Sequence, residues 1–382
     1  MVGLFHRVIG KWRQSKAGSA RVDAGPPPRP ARGSVDHVVL LDGTLGSLSQ
    51  AHLTSIGMIY RFLRRSSPRA SVYYGKGLQY REWRDLKDIW LGWGVEAQIL
   101  RAYGWLAMRY RPGDRIFLIG YSRGAFAARS LAGLIERVGL LRKDAATERN
   151  VEQAWRHYRA EVSPKAFRDA LCHPSAPIEM VGVFDTVAAL GVRLPLFWTM
   201  SADRVRFHDH RLGRSVRHGF QALALHETRP VLSPLLWNSD GTGAARIEQV
   251  WFRGCHADVG GQLADYDAAR PLSNIPLVWM LEQAEGLGLA LPAGWRGEFP
   301  CDPAAPSVGS WGGWGKLYIM RQPRRVGMDG SERLHESVRK RKLEWWIRVG
   351  TGLKRRGPKP DLALVPFQPE PPMIRQVAVP RA

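Results

Sequence analysis

Residues 115–125 read Arg-Ile-Phe-Leu-Ile-Gly-Tyr-Ser-Arg-Gly-Ala. Ile116–Ile119 is a short apolar run of the kind a fully buried strand uses, and Gly120 closes it. From Ala125 a helix with small residues near its start is expected to run to Val138. Between the two lies Gly120-Tyr121-Ser122-Arg123-Gly124, a G-x-S-x-G. Bare, that pattern is common by chance; between a strand and a helix it has a physical meaning. A serine on so sharp a turn is held exposed, and side chains two residues either side of it would collide, which is why glycine stands there. Ser122 is the candidate nucleophile, with Gly120 and Gly124 as its elbow.

A serine hydroxyl is a weak nucleophile until a base takes its proton and a third group orients the base. In the α/β-hydrolase fold these partners follow in the order acid, then histidine, each at the C-terminal end of a later strand. Ile178–Phe184 reads as such a strand and Asp185 follows it directly. Ile247–Phe252 reads as another, with His256 beyond Arg253-Gly254-Cys255. Asp185 is therefore the candidate acid and His256 the candidate base. Asp42, Asp258 and His335 are secondary candidates, His335 being the rival base. An oxyanion hole would use the N–H of Arg123 and a second N–H from the turn after the early strand Val38–Leu41, at Gly43 or Thr44. Asp42 in that turn is read as ordering the loop through an Asx-turn.

Outward from this centre, Ala70–Tyr74 reads as a further strand, and a long helical stretch follows as far as about Tyr110. Strands alternating with helices imply an α/β fold, a mostly parallel sheet with helices on both faces. Residues 186–245 show little strand pattern and many aromatics and prolines, and are expected to form a helical or irregular cap insertion. Three parts result: an N-terminal segment 1–34, a catalytic domain 35–340 and a tail 341–382. The first combines Leu4, Phe5, Val8, Ile9 and Trp12 at helical spacing with Arg7, Lys11 and Arg13, then a Gly/Pro/Ala linker. At the other end, the Arg339-Lys340-Arg341-Lys342 run leads into Trp345-Trp346 and a Pro-rich stretch.

The chain of 382 residues carries 56 Lys and Arg against 34 Asp and Glu, a net charge of +22 that attracts polyanions or an anionic membrane surface. Recognisable nucleic-acid modules are absent, so nucleic acid is not the favoured partner. Three distant cysteines, Cys172, Cys255 and Cys301, exclude a disulfide framework and a zinc knuckle. Neither a metal nor an organic cofactor is expected. No apolar run reaches the roughly 20 residues that span a bilayer, and the N-terminus lacks the pattern of a signal peptide. The expectation is a protein made in the cytoplasm, peripheral to a membrane or exported without a cleaved signal. Its oligomeric state is not legible.

Gly-Tyr-Ser-Arg-Gly-Ala at 120–125, Asp-Gly-Thr at 42–44, Val-Phe-Asp-Thr-Val at 183–187 and His-Ala-Asp-Val-Gly-Gly at 256–261 occur together and in order. Together they resemble a family of α/β-hydrolases that includes the first class of type VI secretion lipase effectors, which are phospholipases. Ala222-Leu223-Ala224-Leu225 with Arg229, and His335-Glu336-Ser337-Val338, match its later pattern. The resemblance spans about residues 36–340 and implies Ser122, Asp185 and His256 as the triad. The chain departs from the family at Gln262 and Leu263, where a glycine and a tyrosine are usual. It departs again at Leu45, usually polar, and at His226, usually acidic. The expectation is a serine hydrolase that cleaves lipid or phospholipid esters through an acyl-enzyme. The alternatives are an esterase of small soluble substrates and a non-catalytic polyanion-binding protein on a hydrolase scaffold.

Overall fold

The structure is a computed structural model that describes residues 33–67, 69–77, 93–161, 164–187, 211–240, 247–311, 321–338, 348–349, 352–353 and 363–366. The basic N-terminal stretch, the Arg339–Lys342 run and the Trp345-Trp346 pair lie outside them. Residues 35–382 form one compact unit. Within it Val38–Leu41 are wholly buried, as a continuous apolar run demands when both faces of a sheet are covered. They belong to β1 (Asp36–Leu41), which pairs in parallel with β2 (Ala70–Gly75) on one side and β3 (Arg115–Tyr121) on the other. Next come β4 (Ile178–Phe184), β5 (Val216–Ala224), β6 (Ile247–Phe252) and β7 (Glu332–His335). After a two-residue antiparallel pair, β8 (Arg348–Val349) and β9 (Gly352–Leu353), β10 (Leu364–Val365) completes the edge. The eight-stranded sheet runs β10-β7-β6-β5-β4-β3-β1-β2, every neighbouring pair parallel.

Seven helices accompany it among the described residues: α1 (Ser55–Ser66), α2 (Trp93–Ala107), α3 (Arg123–Val138), α4 (Glu148–Arg159), α5 (Lys165–Leu171), α6 (His256–Gly260) and α7 (Arg270–Gly286). The apolar side of α1 (Ile56, Ile59, Phe62, Leu63) joins α7 residues such as Ile275 and Met280, with Val38 and Leu40, in one core on one sheet face. α2 and α3 pack against β1 to β4 and against each other, with α4 behind them. Each buried Leu, Ile or Phe of this kind contributes about 1.5–3 kcal/mol. Arg115 pins the neighbouring strands β1 and β3 at their N-terminal ends, gripping Asp36 with Nε at 2.7 Å and Nη2 at 2.9 Å.

One expectation is corrected here. Residues 186–245 are not an insertion without strand: they contain β5, an interior strand between β4 and β6. Its sequence, Val-Arg-His-Gly-Phe-Gln-Ala-Leu-Ala, hides the strand because charge and Gly219 break its first half and Gln221 its centre. Gln221 is tolerated in the core because Thr186 donates to its carbonyl (3.1 Å) and its amide donates to the Leu235 carbonyl (3.1 Å). What remains for a cap is 188–210 and 241–246, outside the described residues, and the loop 225–240.

Candidate active site

Four strands end at one edge, and the candidate residues sit just past those ends. β3 runs into Ser122 and α3 begins at Arg123. The turn forces Ser122 to φ 56°, ψ −118°, a conformation that costs a non-glycine residue about 1–3 kcal/mol. Its neighbours explain the two glycines. A Cβ on Gly120 would lie 2.3 Å from the Gly124 carbonyl oxygen, and one on Gly124 would lie 2.1 Å from that of Leu41. Both obstacles are backbone and cannot give way.

Asp185 directly follows β4, also with positive φ (45°), and is fully buried. His256 opens α6, whose start is fixed by the Asp258 carboxylate accepting from the Cys255 N–H at 2.7 Å. These positions bring the three together: His256 Nε2 lies 2.9 Å from Ser122 Oγ, and His256 Nδ1 lies 2.5 Å from Asp185 Oδ2. With the Nδ1–H donating a hydrogen bond to the Asp185 carboxylate, Nε2 is left as the acceptor facing the hydroxyl. The imidazole packs on the ring of Tyr121, centroids 4.9 Å apart, and Tyr121 Oη donates to the His256 carbonyl at 3.2 Å.

Two site residues escaped the sequence reading. Arg324 reaches from a distant loop to both oxygens of Asp185, through Nη1 to Oδ1 and through Nη2 to Oδ2 at 2.8 Å. It also donates to the carbonyls of Ala224 (2.8 Å) and Leu232 (2.6 Å). Burial alone would raise the Asp185 carboxyl, but Arg324 and the His256 hydrogen bond outweigh it and hold the group well below the usual carboxylate range. Glu227, buried after β5, accepts the His256 N–H (3.2 Å) and pairs with Arg229 through Nε (2.7 Å) and Nη2 (2.6 Å). Burial pushes its carboxyl up, but Arg229 reverses the direction and keeps it low. Arg229 was visible in the sequence as part of a motif; nothing distinguished Arg324 from Arg325 beside it.

The oxyanion candidates separate on close inspection. Gly43 lies against the nucleophile, where a Cβ would approach Ser122 Cβ to 3.1 Å. Its N–H, however, is donated to Asp42 Oδ1 at 2.8 Å, so this expected donor is spent. Thr44 is next in the loop, and its hydroxyl is buried with no hydrogen-bond partner among the described residues. Arg123 is the first residue of α3 and directly follows Ser122. Asp42 orders this loop, but through the adjacent Gly43 N–H and side-chain donors rather than through the expected Asx-turn. It accepts from Thr54 Oγ1 (2.8 and 2.9 Å) and Tyr74 Oη (2.7 Å), and burial raises its pKa to about 6. Gln262, one of the family departures, donates to the Thr44 carbonyl at 2.9 Å and ties α6 to the loop.

The secondary candidates are accounted for elsewhere. Besides starting α6, Asp258 accepts from Ser307 Oγ and from the Val308 N–H. His335 lies on β7, buried, stacked on Phe252 with centroids 4.6 Å apart and bonded through Nδ1 to Ser337 Oγ at 2.8 Å. Burial lowers its pKa to about 4. The three cysteines are free thiols.

The sheet order and the elbow define the class of protein: an α/β-hydrolase fold with a Ser-His-Asp constellation at its strand ends. The chain belongs to a family described as "T6SS, Phospholipase effector Tle1-like, catalytic domain", whose model matches residues 36–283. A curated relative, the uncharacterized protein YEL023C of Saccharomyces cerevisiae, is 29% identical over 222 residues, covering 49% of this chain and 31% of that protein. Among solved structures, a Tle1 effector bound to the VgrG spike of the type 6 secretion system is 18% identical with a TM-score of 0.36, covering 65% of this chain and 56% of that one. An uncharacterized protein from Pseudomonas aeruginosa is 16% identical with a TM-score of 0.41, covering 70% and 49%. The chain thus spans about a third of the curated relative and about half of each solved chain.

Proposed function

We propose that this chain is a serine hydrolase that cleaves carboxylic esters of membrane lipids through an acyl-enzyme, with Ser122 as nucleophile, His256 as base and Asp185 as the group that orients it. The observation that carries the reading is the continuous relay from Ser122 Oγ through the imidazole to Asp185, at 2.9 and 2.5 Å. As Ser122 attacks the ester carbonyl, its proton passes to His256 Nε2, and the same nitrogen later returns a proton to the leaving alcohol. Water then repeats the sequence on the acyl-enzyme. Thr44 and the Arg123 N–H are the proposed oxyanion donors. Membership of a phospholipase effector family supports a lipid ester over a small soluble one. The net charge of +22 supports work at an anionic surface. No described helix is long and apolar enough to cross a membrane, so the proposed association is peripheral.

The test is to incubate the protein with vesicles of mixed phospholipids and identify the products by mass spectrometry, with a fluorophosphonate probe run in parallel. Free fatty acid and lysophospholipid, lost together with probe labelling in Ser122→Ala, are expected. Equal product from Ser122→Ala would refute the reading. Labelling with hydrolysis of short soluble esters alone would favour the small-ester alternative, and no labelling would favour the binding scaffold.

A further inference from the structure

Among the described residues, Asp185 has two ionic partners, His256 and Arg324. The guanidinium is almost as buried as the carboxylate, 4% exposed against 0%. It is held by four acceptor contacts, two to Asp185 and two to the carbonyls of Ala224 and Leu232. Its own loop is tied down nearby, since the Gln322 N–H donates to the Thr228 carbonyl at 2.8 Å and Glu332 collects the N–H groups of Gly327, Met328 and Asp329. Arg324 lies beyond residues 36–283, so this contact is no part of the family's matched region.

The electrostatic consequence follows from counting charge. A buried aspartate facing a neutral imidazole leaves one uncompensated negative charge, which draws a proton onto the imidazole. With Arg324 in place the aspartate is already neutralised. The other charged groups around the pair do not undo this. Glu227, from the loop after β5, is matched by Arg229. Asp258 on α6 is spent on two backbone N–H groups and Ser307. Asp42 after β1 is spent on Thr54, Tyr74 and Gly43. Tyr121 on β3 donates to a carbonyl, and His226 accepts from the Gly254 N–H at 2.9 Å and lies near Arg253. Burial raises the Cys255 thiol and keeps it uncharged.

We propose that Arg324 is a positioning residue that, by neutralising Asp185 inside the site, extends to lower pH the range over which the site can use its base. The proposal rests on the triad reading above. During attack, the proton still moves from Ser122 Oγ to His256 Nε2. The imidazolium and oxyanion then balance each other while Asp185 and Arg324 balance each other, so no net charge is created in the interior.

The experiment compares wild type with Arg324→Met, which keeps length and removes charge, and Arg324→Lys, which keeps charge and removes the fork. The readout is kcat/KM for a soluble short-chain p-nitrophenyl ester across pH, with the rate of fluorophosphonate labelling over the same range. In Arg324→Met the acid limb moves up by about one pH unit or more, so activity below the limb falls roughly tenfold further than activity on the plateau. In Arg324→Lys the limb stays near its wild-type position. A limb unmoved in Arg324→Met, or moved equally in both variants, overturns the proposal and leaves Arg324 a purely structural residue. The midpoint of a limb does not depend on how much protein folds, so a poor yield does not hide the answer. The triad reading fails separately, on Ser122→Ala retaining the activity that the profile measures.

Discussion

The strain at Ser122 makes a prediction that distinguishes two inactive variants. At φ 56°, ψ −118° the serine occupies backbone space that glycine enters freely and alanine does not. Ser122→Ala and Ser122→Gly both remove Oγ and its hydrogen bond to His256 Nε2, a loss of about 1 kcal/mol in each. They differ in the backbone alone. Elsewhere in a strand or helix, glycine is less stable than alanine by about 0.5–1 kcal/mol. Here it relieves a strain of about 1–3 kcal/mol. The difference leaves the glycine variant more stable than the alanine variant by about 1 kcal/mol, with a range of about 0–2.5. Urea unfolding followed by circular dichroism measures this directly. Both variants should lose ester turnover by about four orders of magnitude or more. A glycine variant that is less stable than the alanine variant by about 0.5–1 kcal/mol, as at an ordinary site, would refute the claim that the elbow is strained.

His256→Ala should fold normally and lose turnover by about four orders of magnitude or more. His335→Ala, which removes the stack on Phe252 and the bond to Ser337, should cost about 2–4 kcal/mol of stability while its folded fraction stays active. Reversed outcomes in matched turnover and melting assays would exchange the two roles. Asp42, with its pKa raised by burial to about 6, binds its proton more tightly folded than unfolded. Its contribution to stability is therefore complete below about pH 4 and declines as pH rises to about 6. Urea midpoints across that window should show a decline that Asp42→Asn flattens; equal slopes would refute it. Leu45, half-buried at φ 63°, stands where asparagine is better tolerated, so Leu45→Asn should raise stability by about 1 kcal/mol in a thermal melt.

That Ser122, Asp185 and His256 come together at the strand ends was legible because each is announced locally, by an apolar run that stops at or just before a reactive residue. Strand boundaries followed from the same signal, and Ile178–Phe184 and Ile247–Phe252 begin and end where the pattern places them. β5 was not legible, because its interior position depends on Gln221 finding partners in Thr186 and Leu235, and no window of sequence contains that pairing. Arg324 was hidden for the same reason. It lies 139 residues from the carboxylate it grips, in a loop with no periodicity. The loop after β1 shows a subtler limit. Asp-Gly-Thr marks where an oxyanion donor is expected, but not that the Asp42 carboxylate consumes the Gly43 N–H while the Thr44 hydroxyl has no hydrogen-bond partner among the described residues.

The strained backbone at Ser122 and Asp185 persists because the sheet continues past its own strand ends. The Ser122 N–H donates to the Phe184 carbonyl at 3.0 Å, and the Asp185 N–H donates to that of Ala222 at 2.7 Å. Further along, the Leu225 N–H donates to the Phe252 carbonyl at 3.0 Å, and the Asp42 N–H to the Gly75 carbonyl at 2.9 Å. The loops after β1, β3, β4 and β5 are thus each fastened by one more rung of the parallel ladder before they turn away. A backbone conformation costing about 1–3 kcal/mol is affordable only where its surroundings leave it no alternative, and these rungs remove the alternatives. Side chains complete the fastening: Ala224 N–H to Asp185 Oδ1 at 3.0 Å, and Gln262 to the Thr44 carbonyl. The relay among Ser122, His256 and Asp185 is therefore set by β3, β4, β5 and β6 and by the loop carrying Arg324, all within the described residues.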